Sequence, residues 1–287
     1  MRASMWFMVL PYTLSPPRVH DAALLISSPH SGRDYLPSFL AASQLNAHDI
    51  RRSEDMFVDD LFSDAPLWGA TLLAARYPRC YVDLNRAPDE WDMLLFKETP
   101  PLTNKTPYTA AGLGIVPRMI TPHLPIYSGT ISHTEAQSRV DEIYHPYHAA
   151  LRETRAAIVA HHNMLVLLDV HSMPDKASEG VDIAIGNLHG TSASDFVSQW
   201  VADMFAQQGF RVGVNHPFAG GYIVGQYGAP HDNIHAIQIE INRKLYMNEA
   251  TYKKTANFPI VQKQMTQMLN DLRLALPQFI NPRIAAQ

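Results

Sequence analysis

The sequence predicts an α/β fold, a three-layer α/β sandwich with a largely parallel sheet between helices. Three observations carry that prediction. Five short runs rich in Ile, Leu and Val are each bounded by Gly, Pro, Asn or Ser, as strands covered on both faces should be. Stretches with apolar residues at helical spacing lie between those runs. The composition, 46% apolar and 17% charged over 287 residues, supplies ample material for a buried core.

The elements follow in chain order. Ala22 to Ser27 (AALLIS) reads as the first strand and Thr71 to Tyr77 (TLLAARY) as the second. Between them, Met56 to Phe62 (MFVDDLF) has the pattern of the first turns of an amphipathic helix. A helix is predicted from Thr134 to about His161, because Val140, Ile143, Tyr144, Tyr147 and Leu151 recur on one face. Pro146 falls inside that stretch and predicts a kink or break. Met164 to Val170 (MLVLLDV) and Val181 to Gly186 are the next strands. Ser192 or Ser194 can cap a helix that runs to Gln207, with Gly209 as its stop. The alternating run His235 to Ile241 is the last strand, and a helix from about Glu249 to Leu274 closes the pattern. Thr99 to Ser132 differs: Pro100, Pro101, Pro107, Pro117, Pro122 and Pro125, with Gly112, Gly114 and Gly129, preclude long regular structure. Tyr108 and Tyr127 argue that this segment packs as a loop and lid. Without an internal repeat or linker, 1–287 reads as one domain.

Composition also excludes several functions. Lys plus Arg total 23 against 27 for Asp plus Glu, a net charge of −4 with no basic stripe, so nucleic acid is not an expected partner. The single cysteine, Cys80, excludes an internal disulfide and a thiolate-only zinc site. The apolar run Met1 to Leu10 is too short to span a membrane, and no other run nears the roughly 20 residues required. These features predict a soluble, cytoplasmic protein. Fourteen histidines direct attention to metal or acid–base chemistry.

Four constellations stand where chemistry is expected in such a sheet, beyond the carboxyl ends of strands. Ser28-Pro29-His30-Ser31-Gly32 follows the first strand and projects His30 from a turn. Asp169-Val170-His171-Ser172 ends the third. Residues two apart share a strand face, so Asp169 can accept the second ring N–H of His171 and fix its tautomer while the other nitrogen binds zinc. Tyr81-Val82-Asp83-Leu84-Asn85-Arg86 offers a planar guanidinium and an adjacent amide for a carboxylate. Glu240, inside an apolar strand, must be paired or perturbed; beside a metal-bound water it is a general base, and Arg243 offers a competing salt bridge. Two histidines need a third protein ligand. The candidates are Asp34, Glu54-Asp55 and Asp59-Asp60, with Asp55 favoured, although acidic residues in a first helical turn also serve the helix dipole. Zinc is the expected cofactor; Mn, Fe or Co suits the same N/O set.

Together these stretches resemble the N-formylglutamate amidohydrolase family over most of the chain. The likeness extends through Val58-Asp59-Asp60-Leu61-Phe62, Gly69-Ala70-Thr71, Tyr144-His145-Pro146-Tyr147-His148, Gly220-Gly221-Tyr222-Ile223 and Leu245-Tyr246-Met247. The motif order is also similar to that of zinc carboxypeptidases. The resemblance implies a zinc-exopeptidase-type α/β/α sandwich with a largely parallel mixed sheet. It implies zinc on His30 and His171, a substrate carboxylate on Asn85 and Arg86, and Glu240 as base. It further implies hydrolysis of N-formyl-L-glutamate to formate and L-glutamate. The sequence departs from the carboxypeptidase pattern at Arg33, where that pattern has its glutamate ligand. It departs from the family at Asn187-Leu188, usually an Asp-Arg pair, which bears on the preference for N-formylglutamate. The alternatives are a related metallo-deacylase or peptidase-like hydrolase of another N-acyl amino acid or small peptide, and a non-catalytic binder of a small ligand.

Overall fold

In the computed structural model, which describes residues 10–18, 21–98 and 103–280, strands from most of the chain's length join one central sheet. Strands β1 (Tyr12–Ser15), β2 (Leu24–Ser28) and β3 (Thr71–Ala75) precede a separate hairpin, β4 (Met119–Thr121) and β5 (Leu124–Pro125). Strands β6 (Leu165–Met173), β7 (Ile183–Gly186), β8 (Val212–Val214) and β9 (Ile234–Asn242) return to the sheet. A second hairpin, β10 (Met247–Asn248) and β11 (Lys253–Lys254), follows. The sheet order is β1-β3-β2-β6-β9-β7-β8. Its central strands β3, β2, β6 and β9 are parallel, as are β7 and β8, whereas β1 and β7 run against β3 and β9. The edge strands β1 and β8 have no sequence signal of their own: they are short and incompletely buried.

Among the described residues, eight α-helices complete the layers: α1 (Pro37–Ala42), α2 (Val58–Leu61), α3 (Pro107–Ala110), α4 (His133–Arg139), α5 (His145–His162), α6 (Asp195–Gln207), α7 (Tyr222–Tyr227) and α8 (Phe258–Ile280). Side chains alternate across the sheet, and each face has its own core. On one, Ile26, Leu168 and Ile239 pack against Val201 and Phe205 of α6 and Met265 and Leu269 of α8. On the other, Leu25, Leu167 and Ala236 pack against Tyr147 and Leu151 of α5 and Ile223 of α7. Fully burying each such Leu, Ile or Phe contributes about 1.5–3 kcal/mol. The fold is therefore the three-layer α/β/α sandwich with a largely parallel mixed sheet.

Several boundaries differ from expectation. The predicted Thr134–His161 helix is α4 and α5 joined by a π-helical turn over Val140–Tyr144. Pro146 then falls in the first turn of α5, directly after the π-helical turn, where the regular i to i−4 ladder is already interrupted. The last helix starts at Phe258 because the β10–β11 hairpin takes up the preceding residues. The MFVDDLF pattern yields only the one-turn α2. Helix α6 begins as predicted, its Val197 N–H donating to the Ser194 hydroxyl, and Gly209 beyond its end takes φ +90°. The Pro/Gly-rich segment contributes Ile115, Val116, Ile120 and Tyr127 to the second core. Pro100 and Pro101, and Met1 to Val9 of the apolar N-terminal run, lie outside the described residues. Among the described residues, no helix is long and apolar enough to cross a membrane.

Candidate active site

The face of the sheet that packs against α5 turns polar at its carboxyl edge. On β6, Leu165 and Leu167 give way to Asp169 and His171, and on β9, Ile234 and Ala236 give way to Gln238 and Glu240. The register sets Asp169 beside Gln238 and His171 beside Glu240, while Ser27 of β2 lies beside Asp169 on the other flank. Parallel pairing thus brings residues distant in sequence to one level. His30 reaches the same place from the turn after β2. Gly32 makes that turn possible: a Cβ there would lie 2.1 Å from the Tyr77 carbonyl oxygen.

His30, Asp55 and His171 converge, with one ligand atom from each lying within 4.8 Å of the others. Asp55 Oδ2 is 3.0 Å from His171 Nδ1 and 3.4 Å from His30 Nδ1. Each imidazole turns its other nitrogen to a carboxylate. His171 Nε2 donates to Asp169 Oδ2 at 2.8 Å and His30 Nε2 to Asp83 Oδ1 at 2.7 Å. With those N–H groups fixed, each Nδ1 offers the Asp55 side either a proton or, to a cation, a lone pair, and His30 Nδ1 is buried with no hydrogen-bond partner among the described residues. Three acceptors this close need positive charge among them, and two imidazoles with one carboxylate suit a divalent cation. Asp55 divides its two oxygens between separate tasks: Oδ1 accepts from Arg243 Nη2 at 3.1 Å and Ser172 Oγ at 3.3 Å, leaving Oδ2 for the histidine side. Burial pushes the Asp55 carboxyl up, but the hydrogen bonds and charges of His171 and His30 outweigh it and hold it well below the usual carboxylate range. Burial lowers His171, and the charge and hydrogen bond of Asp169 more than reverse that, raising it well above its ordinary value.

Glu240, the register partner of His171, lines the same cleft as the two histidines. Burial pushes its carboxyl up to about 7, with His171 opposing the rise and Asp55 adding to it. Its Oε1 accepts from Gln238 Nε2 at 3.0 Å. Arg243, the competing partner in the sequence, is instead turned to Asp55, Ser172 and the Glu54 carbonyl. A cavity of about 340 Å³ is lined by His30, Asn85, Arg86, His171, Tyr108 and Glu240 among others. Arg86 lies flat on the Tyr108 ring, 3.7 Å from its centroid, and spends two N–H groups on the Leu113 and Asn85 carbonyls. Asn85 and Arg86, the expected clamp, both line this cavity, and Asn85 is also bonded within the protein. Its amide is committed within the protein, donating to Asp169 Oδ2 and accepting from the Ile223 N–H. Asn85 thus ties Asp169 to α7 while lining the cavity beside Arg86.

The other candidate ligands point elsewhere. Asp34 pairs with Arg76 on the surface, and Asp59 with Arg33. Sequence reasoning missed two residues. Asp83 orients His30, and Arg79, held by Asp83 Oδ2 at 2.8 Å, lines the cleft beside Glu240. The available signal was position: both lie just beyond the carboxyl end of β3.

Known proteins are similar to this chain along most of its length. A family model described as N-formylglutamate amidohydrolase matches residues 22–247. An N-formylglutamate deformylase of Pseudomonas aeruginosa is 30% identical over 234 residues, covering 79% of this chain and 82% of the relative. An N-formylglutamate deformylase of Pseudomonas putida is 28% identical over 262 residues, covering 86% and 91%. The crystal structure of N-formylglutamate amidohydrolase from Ralstonia eutropha JMP134 superposes with a TM-score of 0.90 at 30% identity, covering 94% of this chain and 99% of that one.

Proposed function

The chain belongs to the N-formylglutamate amidohydrolase family, and on that premise we propose that it hydrolyses N-formyl-L-glutamate to formate and L-glutamate, using zinc or a similar divalent metal. The observation that carries this reading is the convergence of His30 Nδ1, His171 Nδ1 and Asp55 Oδ2 beside Glu240, in a cleft that also holds Arg86. His30, Asp55 and His171 would hold the metal, whose chemistry is to polarise the formyl carbonyl and acidify water. Glu240 takes a proton from the attacking water and delivers it to the leaving nitrogen. Arg86, its plane fixed by Tyr108, holds a glutamate carboxylate and so orients the scissile amide. Arg79 places fixed positive charge near Glu240, where the carbonyl oxygen gains negative charge during attack. Asp83 and Asp169 keep both Nδ1 atoms turned inward. The described residues form one catalytic domain in this proposal, since the site draws on β2, β6, β9 and the loop after β3.

The test is formate release from N-formyl-L-glutamate by purified protein, with and without a chelator. Chelation should abolish release and added Zn2+ restore it. Release insensitive to chelation would remove the metal, and no release from the metal-loaded protein would remove this substrate. Glu240→Gln should lower kcat by at least about a hundredfold while metal stays bound. His171→Ala should lose the metal itself.

A further inference from the structure

The cleft is larger than a formyl group requires. A second cavity, of about 270 Å³, meets the Arg86 cavity at Arg79, Phe218 and Glu240 and extends past Asp55 and Ser172. With the leaving amino acid anchored on Arg86 and the scissile carbonyl beside Glu240, the second cavity, which shares Glu240 but not Arg86 with the first, is the space available to the substituent on the acyl carbon. For a formyl group that substituent is one hydrogen. The space left over equals the liquid volume of about nine waters at ~30 Å³ each. Its lining includes Leu113, Pro117, Met119, Ile120 and Met173. Its arginines are already matched: Arg79 with Asp83 at 2.8 Å, Arg243 with Asp55 at 3.1 Å, Arg52 with Asp49 at 2.9 Å. An apolar wall with paired cations suits an uncharged alkyl chain better than an acidic group.

We propose that this chain also hydrolyses N-acyl amino acids whose acyl group is a short unbranched alkyl chain, acetyl to butyryl, with that alkyl chain in the second cavity. The inference rests on the reading of the site given above. Water oxygen adds to the acyl carbon and the carbon–nitrogen bond breaks. The bonding pair leaves with nitrogen, which receives the proton that Glu240 took from water. The products are the short-chain carboxylate and the free amino acid.

The experiment compares kcat/KM of the metal-loaded protein on N-formyl-, N-acetyl- and N-butyryl-L-glutamate, in the natural chain and in Thr121→Trp. Thr121 is an exposed residue on the rim of the second cavity, so an indole there narrows it without entering the core. Butyryl carries two methylenes more than acetyl, and their burial should raise kcat/KM about fifteenfold between the two. Thr121→Trp should lower N-butyryl turnover at least about tenfold and N-formyl turnover less than about twofold, the latter serving as the control for folding. Turnover of N-formyl- but not N-acetyl- or N-butyryl-L-glutamate overturns the inference and leaves the deformylase reading intact. Equal losses on all three substrates in Thr121→Trp overturn it as well. Turnover of the longer acyl groups without N-formyl turnover keeps the cavity assignment and refutes the deformylase reading, whereas no turnover of any refutes both.

Discussion

Replacing Asp169 by asparagine removes one charge and almost no bulk from a fully buried position, which separates the electrostatic role of this residue from its packing. Asp169 accepts three hydrogen bonds: from Ser27 Oγ at 2.9 Å on Oδ1, and from His171 Nε2 at 2.8 Å and Asn85 Nδ2 at 3.2 Å on Oδ2. An amide in its place can still present its oxygen to the last two donors and its nitrogen to Ser27. The Ser27 hydroxyl is free to accept, because its contact with Tyr147 at 3.0 Å works in either direction. The exchange leaves one hydroxyl hydrogen of the Ser27–Tyr147 pair without an acceptor, and the amide's second N–H without a partner. The cost is the loss of charge-assisted hydrogen bonds together with these unpaired buried donors, about 2–5 kcal/mol of stability. The imidazole keeps its tautomer but loses the negative charge behind it, which makes Nδ1 a poorer ligand. Loss of such a carboxylate typically weakens metal binding about 10–100-fold, or ~1.4–2.7 kcal/mol. A zinc titration against a chromophoric chelator gives Kd, and urea unfolding of the metal-free protein gives the stability change separately. If Asp169→Asn binds zinc as tightly as the natural protein while unfolding more easily, the residue only supports the fold and the orienting role assigned to it is wrong.

Three further expectations rest on other contacts. Arg243→Met strips the buried Asp55 carboxylate of its guanidinium partner, and breaking a buried pair this way costs about 3–5 kcal/mol; urea unfolding should show it, and a loss below about 1 kcal/mol would count against the pairing. Gly32→Ala forces backbone at Arg76 and Tyr77 to move, so about 1–3 kcal/mol of stability should go, together with metal occupancy measured by elemental analysis, since His30 rides on the same turn. His148 is held neutral, burial pushing it down to about 4 while its ring bonds the Leu84 carbonyl and the Tyr227 hydroxyl. Between pH 6.5 and about 4 the unfolded chain binds a proton there that the folded chain refuses, so stability falls on acidification by roughly 3 kcal/mol across that window. His148→Gln should flatten that slope, and an unchanged pH profile in the variant would place the sensitivity elsewhere.

The fold was legible because its central strands are covered on both faces and therefore read as apolar runs with sharp ends. The edge strands failed this test for the same physical reason in reverse: β1 and β8 each leave residues partly open to solvent, so their patterns do not differ from loop. The late start of α8 was invisible because helix periodicity marks a buried face and not the hairpin that precedes it. His171 and Glu240 announced themselves as polar residues at the ends of apolar strands, where desolvation demands a partner or a task. Asp169 was legible with them through the two-residue strand period.

Asp55 shows where such reading ends. Nothing in MFVDDLF separates a ligand from an acid serving a helix dipole, and the helix itself shrinks to one turn, with Phe57 before it in the left-handed region at φ 65°. What separates Asp55 from Asp59 is held by other parts of the chain. Asp55 N–H donates to the carbonyl of His30, which ties it to the turn after β2, and Arg243, from beyond the end of β9, occupies one of its oxygens. Asp59 turns its Oδ2 to Arg33, the very arginine that stands where the carboxypeptidase pattern has a ligand, and no histidine reaches it. The distinction is thus a matter of which carboxylate the closed fold brings to the histidines, and that is a property of packing that no spacing rule records. By the same logic Asp83 and Arg79 went unassigned: an arginine four residues before an aspartate reads as a surface pair. Only when His30 takes the second oxygen of that aspartate does the pair become part of the site.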